Sequence, residues 1–162
     1  MKKIYIIGPV GSGKSTLSRI LSKKYNINYY ELDKVVWDDL NGNIKRSDKE
    51  IAKLFHSIIS KSSWIIEDVG RSKFRDGIVN ADIVYYIKLP KLIVYKRCFI
   101  RWIKQLIGLE HYNYQPTIKG LIEMFSWVNS DFKKMDEKIE YIKNNSNKYE
   151  IISNKEIIKL IK

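Results

Sequence analysis

The stretch "GPVGSGKST", residues 8–16, decides how this chain is read. It follows the spacing G-x-x-x-x-G-K-S, with Gly8, Gly13, Lys14 and Ser15 at the fixed places. In front of it, "KKIYII" (2–7) is β-branched and aromatic, as a buried parallel strand requires. Behind it, Leu17, Ile20, Leu21 and Tyr25 recur at helical spacing. Strand, glycine loop and helix therefore stand in the order the pattern demands.

That order has a physical consequence. Glycines let a loop curl until successive backbone N–H groups surround a phosphate. The first turn of the following helix adds unpaired N–H groups and the positive end of a dipole. Gly8, Gly11, Ser12, Gly13, Lys14, Ser15 and Thr16 are thus expected to hold a nucleoside triphosphate. Lys14 would reach the β and γ phosphates, the Ser15 hydroxyl would ligate Mg²⁺, and Thr16 would donate to the α phosphate. A glycine-rich turn that binds nothing is the alternative, and the flanking strand and helix argue against it.

At 162 residues the chain suits a single domain, 1–162, with a sizeable core. Its first apolar run is too short for a signal peptide and leads straight into the glycine loop. No stretch approaches the roughly 18 uninterrupted apolar residues of a membrane span, so no membrane partner is expected. One cysteine, Cys98, cannot form an internal disulfide, and a cytoplasmic location is expected. The net charge of +12 invites a nucleic-acid reading. Yet 24 Lys stand against 6 Arg, beside 27 Ile and 11 Asn, a pattern of A- and T-rich codons that inflates lysine everywhere. The six arginines carry more information than the total.

Strand and helix signals alternate along the chain. "NYYEL" (28–32), "SWIIE" (63–67), "DIVYYIKL" (82–89) and "YEIIS" (149–153) read as further strands. Ser47 with Glu50 forms a capping box ahead of an apolar helical stripe, Ile51, Leu54, Phe55, Ile58 and Ile59. A helix after Pro90 runs to about Gln105, and a single helical region is expected over about 117–144. Such alternation implies an α/β fold, a parallel sheet with helices on both faces and ligands at the carboxyl ends of the strands.

Several candidate residues fall at those ends. Glu31 and Asp33 are two apart and would share one side of an extended strand. Glu67, Asp68 and Arg71 close the third strand. A carboxylate there orders Mg²⁺ or accepts a proton from an attacking hydroxyl, and Asp33 is preferred for the acceptor side, Glu67 for the metal. Solvated strand-end acids are the alternative, favoured for Glu31 and Asp68. Trp37 would stack on a base or sugar of the acceptor, or take a place in the core or at the rim. Trp64, Trp102 and Trp127 read as packing, and His56 and His111 lack the partners of a metal site. Between Lys88 and Leu109 there is no acidic residue; Arg97, Arg101 and Lys104 share one helical face. That face suits a mobile lid, about 91–120, whose arginines meet a transferring phosphoryl group, or else a basic nucleic-acid patch.

Taken together, the chain resembles P-loop kinases of the nucleoside- and nucleotide-kinase type, and most closely the DNA topology modulation proteins of the FlaR-related group. The resemblance rests on "IIGPVGSGKSTLSRIL", "ELDKVVW", "SWIIED", "ADIVYYIKLP" with its arginine helix, and the terminal "YEIIS". It implies a three-layer P-loop NTPase fold whose five-stranded parallel sheet is ordered 2-3-1-4-5, with ATP as phosphoryl donor, Mg²⁺ as cofactor and a helical lid. It places Asp33 on the acceptor side and Arg97 and Arg101 in the lid. The acceptor-side arginine is Arg71 or Arg75. Many relatives carry Asp-Gly where this chain has Glu67-Asp68, and the glycine-tryptophan element usual after Trp37 is missing from "DDLNGNIKRSD". The expected activity is phosphoryl transfer from ATP to a small acceptor such as a nucleotide or nucleoside, by a monomer or homodimer. An ATP-dependent, DNA-associated regulator is the alternative.

Overall fold

A computed structural model describes residues 2–38, 42, 44–110 and 116–161. Five apolar segments pair in parallel: β1 (Lys3–Ile7), β2 (Tyr29–Glu31), β3 (Trp64–Asp68), β4 (Ile83–Ile87) and β5 (Tyr149–Ile152). Their order is β2-β3-β1-β4-β5, the arrangement the resemblance implies. β1 is central, with Ile4 opposite Ile65 on one side and Ile83 on the other. Its isoleucine-rich run is buried from Ile4 to Ile7, as a strand covered on both faces must be.

Eight helices are described: α1 (Lys14–Tyr25), α2 (Leu32–Val36), α3 (Asp48–Ile59), α4 (Arg75–Asn80), α5 (Lys91–Leu106), α6 (Ile118–Lys133), α7 (Met135–Asn145) and α8 (Asn154–Ile161). Successive strand residues point to opposite faces, and two cores result. Tyr5 and Ile7 join one core with side chains of α2, α3, α4 and α7. Ile4 and Ile6 join the other with α1, α5, α6 and α8. The three-layer α/β architecture follows directly from that partition.

Where local pattern and structure differ, tertiary packing explains the difference. The helix expected over 117–144 breaks at Lys134. Phe132 packs in the α1–α5 core and Met135 in the α3–α4 core, so the chain must turn to serve both faces of the sheet. Asp33 does not continue β2, which ends at Glu31; it lies in the first turn of α2, where Leu32, Val35 and Val36 fall on a buried stripe. The expectation that Glu31 and Asp33 share a strand face is therefore corrected. Trp37 and Asp38 pair antiparallel with Lys45 and Ile44 in a small ribbon. Ser47 and Glu50 form the expected capping box. Trp64 is fully buried edge-on to Tyr5, whereas Trp127 is 48% exposed and is not a packing residue. His111, the rest of 111–115, and residues 39–41 and 43 lie outside the described residues.

α4 passes so close to β1 that a Cβ at Gly77 would stand 2.5 Å from the Tyr5 ring. Tyr5 is fully buried and cannot retreat. Gly77→Ala is expected to destabilise the fold by about 1–3 kcal/mol, which thermal denaturation would register as a fall of about 2–4 °C per kcal/mol.

Candidate active site

The loop between β1 and α1 occupies the carboxyl edge of the central strand. Gly11 and Gly13 have φ of 74° and 99°, left-handed conformations that side chains resist, and Gly13 is the N-cap of α1. No side chain caps that terminus and its first turn carries no acid, so its amides are left for an external anion. At Gly8 a Cβ would lie 2.8 Å from Ser12 Oγ, so the loop closes tightly over the strand end. Ser12 is buried, and its hydroxyl finds no hydrogen-bond partner among the described residues. Lys14 folds back, Nζ donating to the Pro9 carbonyl at 3.0 Å. Thr16 is exposed.

β3 brings the acids to this loop. Glu67 lies opposite Ile6, and Asp68 opposite Ile7 at the last step before the glycine loop. Ser15 Oγ donates to Glu67 Oε1 at 2.8 Å, while Glu67 Oε2 is buried without a hydrogen-bond partner. Burial pushes the Glu67 carboxyl above its ordinary range; Lys14 and the Ser15 hydrogen bond pull it down, and Glu31 and Asp33 push it up. Glu31 sits opposite Glu67 and pairs with Lys34 at 3.4 Å. Among the described residues no cluster of three or more His, Cys, Asp or Glu could hold a metal by itself. A magnesium ion here would need the phosphate oxygens of a nucleotide as well as Ser15 and Glu67.

Asp68, weighed in the sequence as a solvated strand end, is instead an anchor. Its side chain is fully buried and accepts from the Gly70 and Arg71 amides at 2.7 and 2.6 Å, and from the Arg71 guanidinium. The same guanidinium reaches Asp33, so Asp33, Arg71 and Asp68 form a chain across the acid edge. Burial opposes the charge on Arg71, and the two carboxylates outweigh it. Arg75 faces elsewhere, pairing with Glu137 and lying over the Tyr141 ring. Of the two arginines left open by the sequence, only Arg71 joins the site. Trp37 stands on the small ribbon, 39% exposed, its carbonyl taken by Arg46.

The two arginines expected in a lid part company. Arg97 does not project from a lid face: it donates to the Ser12 carbonyl and to Asn154 Oδ1, both at 2.9 Å, bracing the glycine loop from outside. α5 packs close enough that Cys98 Sγ would meet a Cβ at Gly11 at 2.9 Å, which draws Arg97 inward. Arg101 is 48% exposed and, among the described residues, pairs with Glu110 alone, at 3.2 Å. Such an exposed pair contributes little to stability. Asn154 carried no sequence signal beyond its place after the last strand.

Known proteins resemble parts of this chain in sequence and nearly all of it in fold. No family model matches it. A shikimate kinase of Blochmanniella floridana is 28% identical over 101 residues, 54% of this chain and 54% of that protein. Another, of Sulfurihydrogenibium sp. strain YO3AOP1, is 42% identical over 45 residues, 28% of this chain and 27% of that protein. The chain thus spans about half the length, or less, of these curated relatives. Among solved structures, shikimate kinase from Acinetobacter baumannii in complex with shikimate superposes with a TM-score of 0.63 at 15% identity, covering 99% of this chain and 89% of that one. Shikimate kinase from Bacteroides thetaiotaomicron gives 0.60 at 10% identity, covering 98% and 93%. These superpositions show the P-loop α/β fold.

The raised Glu67 carboxyl makes stability depend on pH. A raised acid stabilises the fold at pH values below its ordinary range, and that contribution is lost as pH rises through the folded value. Melting of the nucleotide-free protein from pH 4 to pH 8 should therefore show Glu67→Gln gaining on the parent as pH rises. A constant gap would contradict the assignment.

Proposed function

We propose that this protein is an ATP- and Mg²⁺-dependent phosphotransferase acting on a hydroxyl of a small molecule. The observation that carries the reading is the glycine loop: left-handed Gly11 and Gly13, an uncapped α1 terminus, Lys14 within it, and Ser15 tied to a buried acid. The residues fit the cofactor, because the loop has free amides and Glu67 has a buried oxygen awaiting a partner. Ser15 and Glu67 would hold magnesium, which when bound adds positive charge beside the phosphates. The likeness to shikimate kinases, by name enzymes that phosphorylate a small acceptor, supports the same class.

In this reading each residue has a task. The loop amides and Lys14 bind the triphosphate and stabilise charge as the terminal group leaves, which is where phosphoryl-transfer catalysis mostly lies. Lys14 exchanges the Pro9 carbonyl for phosphate oxygens. Arg97 holds the loop in shape through the Ser12 carbonyl. Asp33, 64% exposed and steadied by Arg71, orients the acceptor hydroxyl and takes its proton. Arg101 leaves Glu110 to meet the transferring group as α5 and α6 close, excluding water. Trp37 lines the rim. The acceptors to try first are shikimate, which the relatives' names nominate, and nucleosides or nucleotides, which the sequence resemblance nominates. The reaction belongs in the cytoplasm, where ATP is plentiful and Cys98 stays reduced. The finer resemblance to the DNA topology modulation group rests on sequence order alone. Its DNA-binding alternative loses support, since Arg97 is turned inward and Arg101 is paired.

Lys14→Ala should keep the fold, as judged by circular dichroism, and lower acceptor-stimulated ADP release by about 10²–10³-fold. Turnover equal to the parent's would refute the assignment.

A further inference from the structure

Six arginines are the only guanidinium groups this chain owns, and all six lie among the described residues. The undescribed residues hold no arginine, and Lys162 is the one lysine among them. The guanidinium groups that could recognise an anionic acceptor can therefore be followed one at a time. Arg19 donates to the Ser15 carbonyl at 3.2 Å. Arg46 is spent on the Lys34 and Trp37 carbonyls and on Asp38. Arg75 pairs with Glu137, Arg97 braces the loop, and Arg101 pairs with Glu110. That leaves Arg71, at the end of β3 and beside Asp33.

Arg71 is already neutralised. One side of its fork is held by Asp68, whose carboxylate is fully buried and fixed by two backbone amides, and the other by Asp33. A carboxylate or phosphate is ordinarily gripped by the open fork of an arginine. Here that fork has two carboxylates of the protein upon it. Around it stand Glu31, Asp33, Glu67 and Asp68, against Arg71, a Lys34 that pairs with Glu31, and Lys14, which faces Glu67 from the glycine loop with its Nζ on the Pro9 carbonyl. Lys138, whose stem passes beside Gly70, is likewise occupied by Asp131 and the Val69 carbonyl. Asp33 engages Arg71 through Oδ1 only. Its second oxygen makes no hydrogen bond among the described residues, and such an oxygen accepts from O–H or N–H and repels another anion.

We propose that the acceptor pocket is built for an uncharged or cationic hydroxyl compound, such as a polyol, a nucleoside or an amino sugar, and that the Asp33–Arg71–Asp68 chain discriminates against acceptors bearing a carboxylate or phosphate. Discrimination of this kind works by repulsion as much as attraction. The inference rests on the phosphotransferase reading for the word acceptor, but its charge rule can be measured by binding alone.

Matched pairs differing in charge supply the test: shikimate against its methyl ester, a nucleoside against its 5′-monophosphate, and glucosamine against glucuronate. Calorimetry on the protein loaded with magnesium and a non-hydrolysable ATP analogue should show the uncharged or cationic member binding about tenfold tighter or more. Asp68→Asn, checked by melting, frees Arg71 from one carboxylate and should shift each ratio about fivefold or more toward the anion. If that variant folds poorly, Asp33→Asn makes the same comparison from the exposed side. Tighter binding of the acids, no binding by any pair, or ratios indifferent to the variants would overturn the charge rule. ADP release with ATP is read separately. The expected preference without turnover would remove the phosphotransferase reading and leave the charge rule standing, whereas turnover best with shikimate would do the reverse.

Discussion

The hydrogen bond from Ser15 Oγ to Glu67 Oε1 joins the first turn of α1 to the end of β3. Everything at the site is placed relative to that bond. It can form because β1 and β3 pair in parallel, so that the loop leaving one strand and the acids ending the other share an edge. Ile7 opposite Asp68 fixes the register, and a slip of one residue would turn Glu67 to the other face of the sheet. The meeting of the glycine loop with the strand-end acids is thus a consequence of one strand pairing.

The same edge carries a concentration of negative charge that the fold tolerates in different ways. Glu67 keeps its proton more readily because burial disfavours the ion. Asp68 remains useful because backbone amides and Arg71 satisfy it. A buried acid so fully satisfied costs little compared with one left unpaired. Asp33, outermost of the three, is anchored by the same guanidinium yet open to solvent. Arg71 therefore connects a structural carboxylate with one available for chemistry.

Behind the loop, α5 serves two ends. Val94 and Cys98 belong to the core, while Arg97 reaches round to the Ser12 carbonyl. This helix is in this way packed directly against the glycine loop. The basic face visible in the sequence is real as a spacing, but contacts divide its members between loop, acid and solvent.

The sequence by itself determined the glycine loop, the helix behind it, the capping box at Ser47 and the alternation that makes a parallel sheet. These are local: each depends on residues within a few positions, and propensity and periodicity report such things directly. Only the tertiary structure decided that Arg71 and not Arg75 belongs to the acid edge, since both follow β3 and differ in which neighbour they meet. It likewise decided the break at Lys134, imposed by two cores on opposite faces of the sheet, and the burial of Asp68, which a strand-end acid does not advertise. Contacts between residues far apart in the chain made those choices, and no local pattern encodes them.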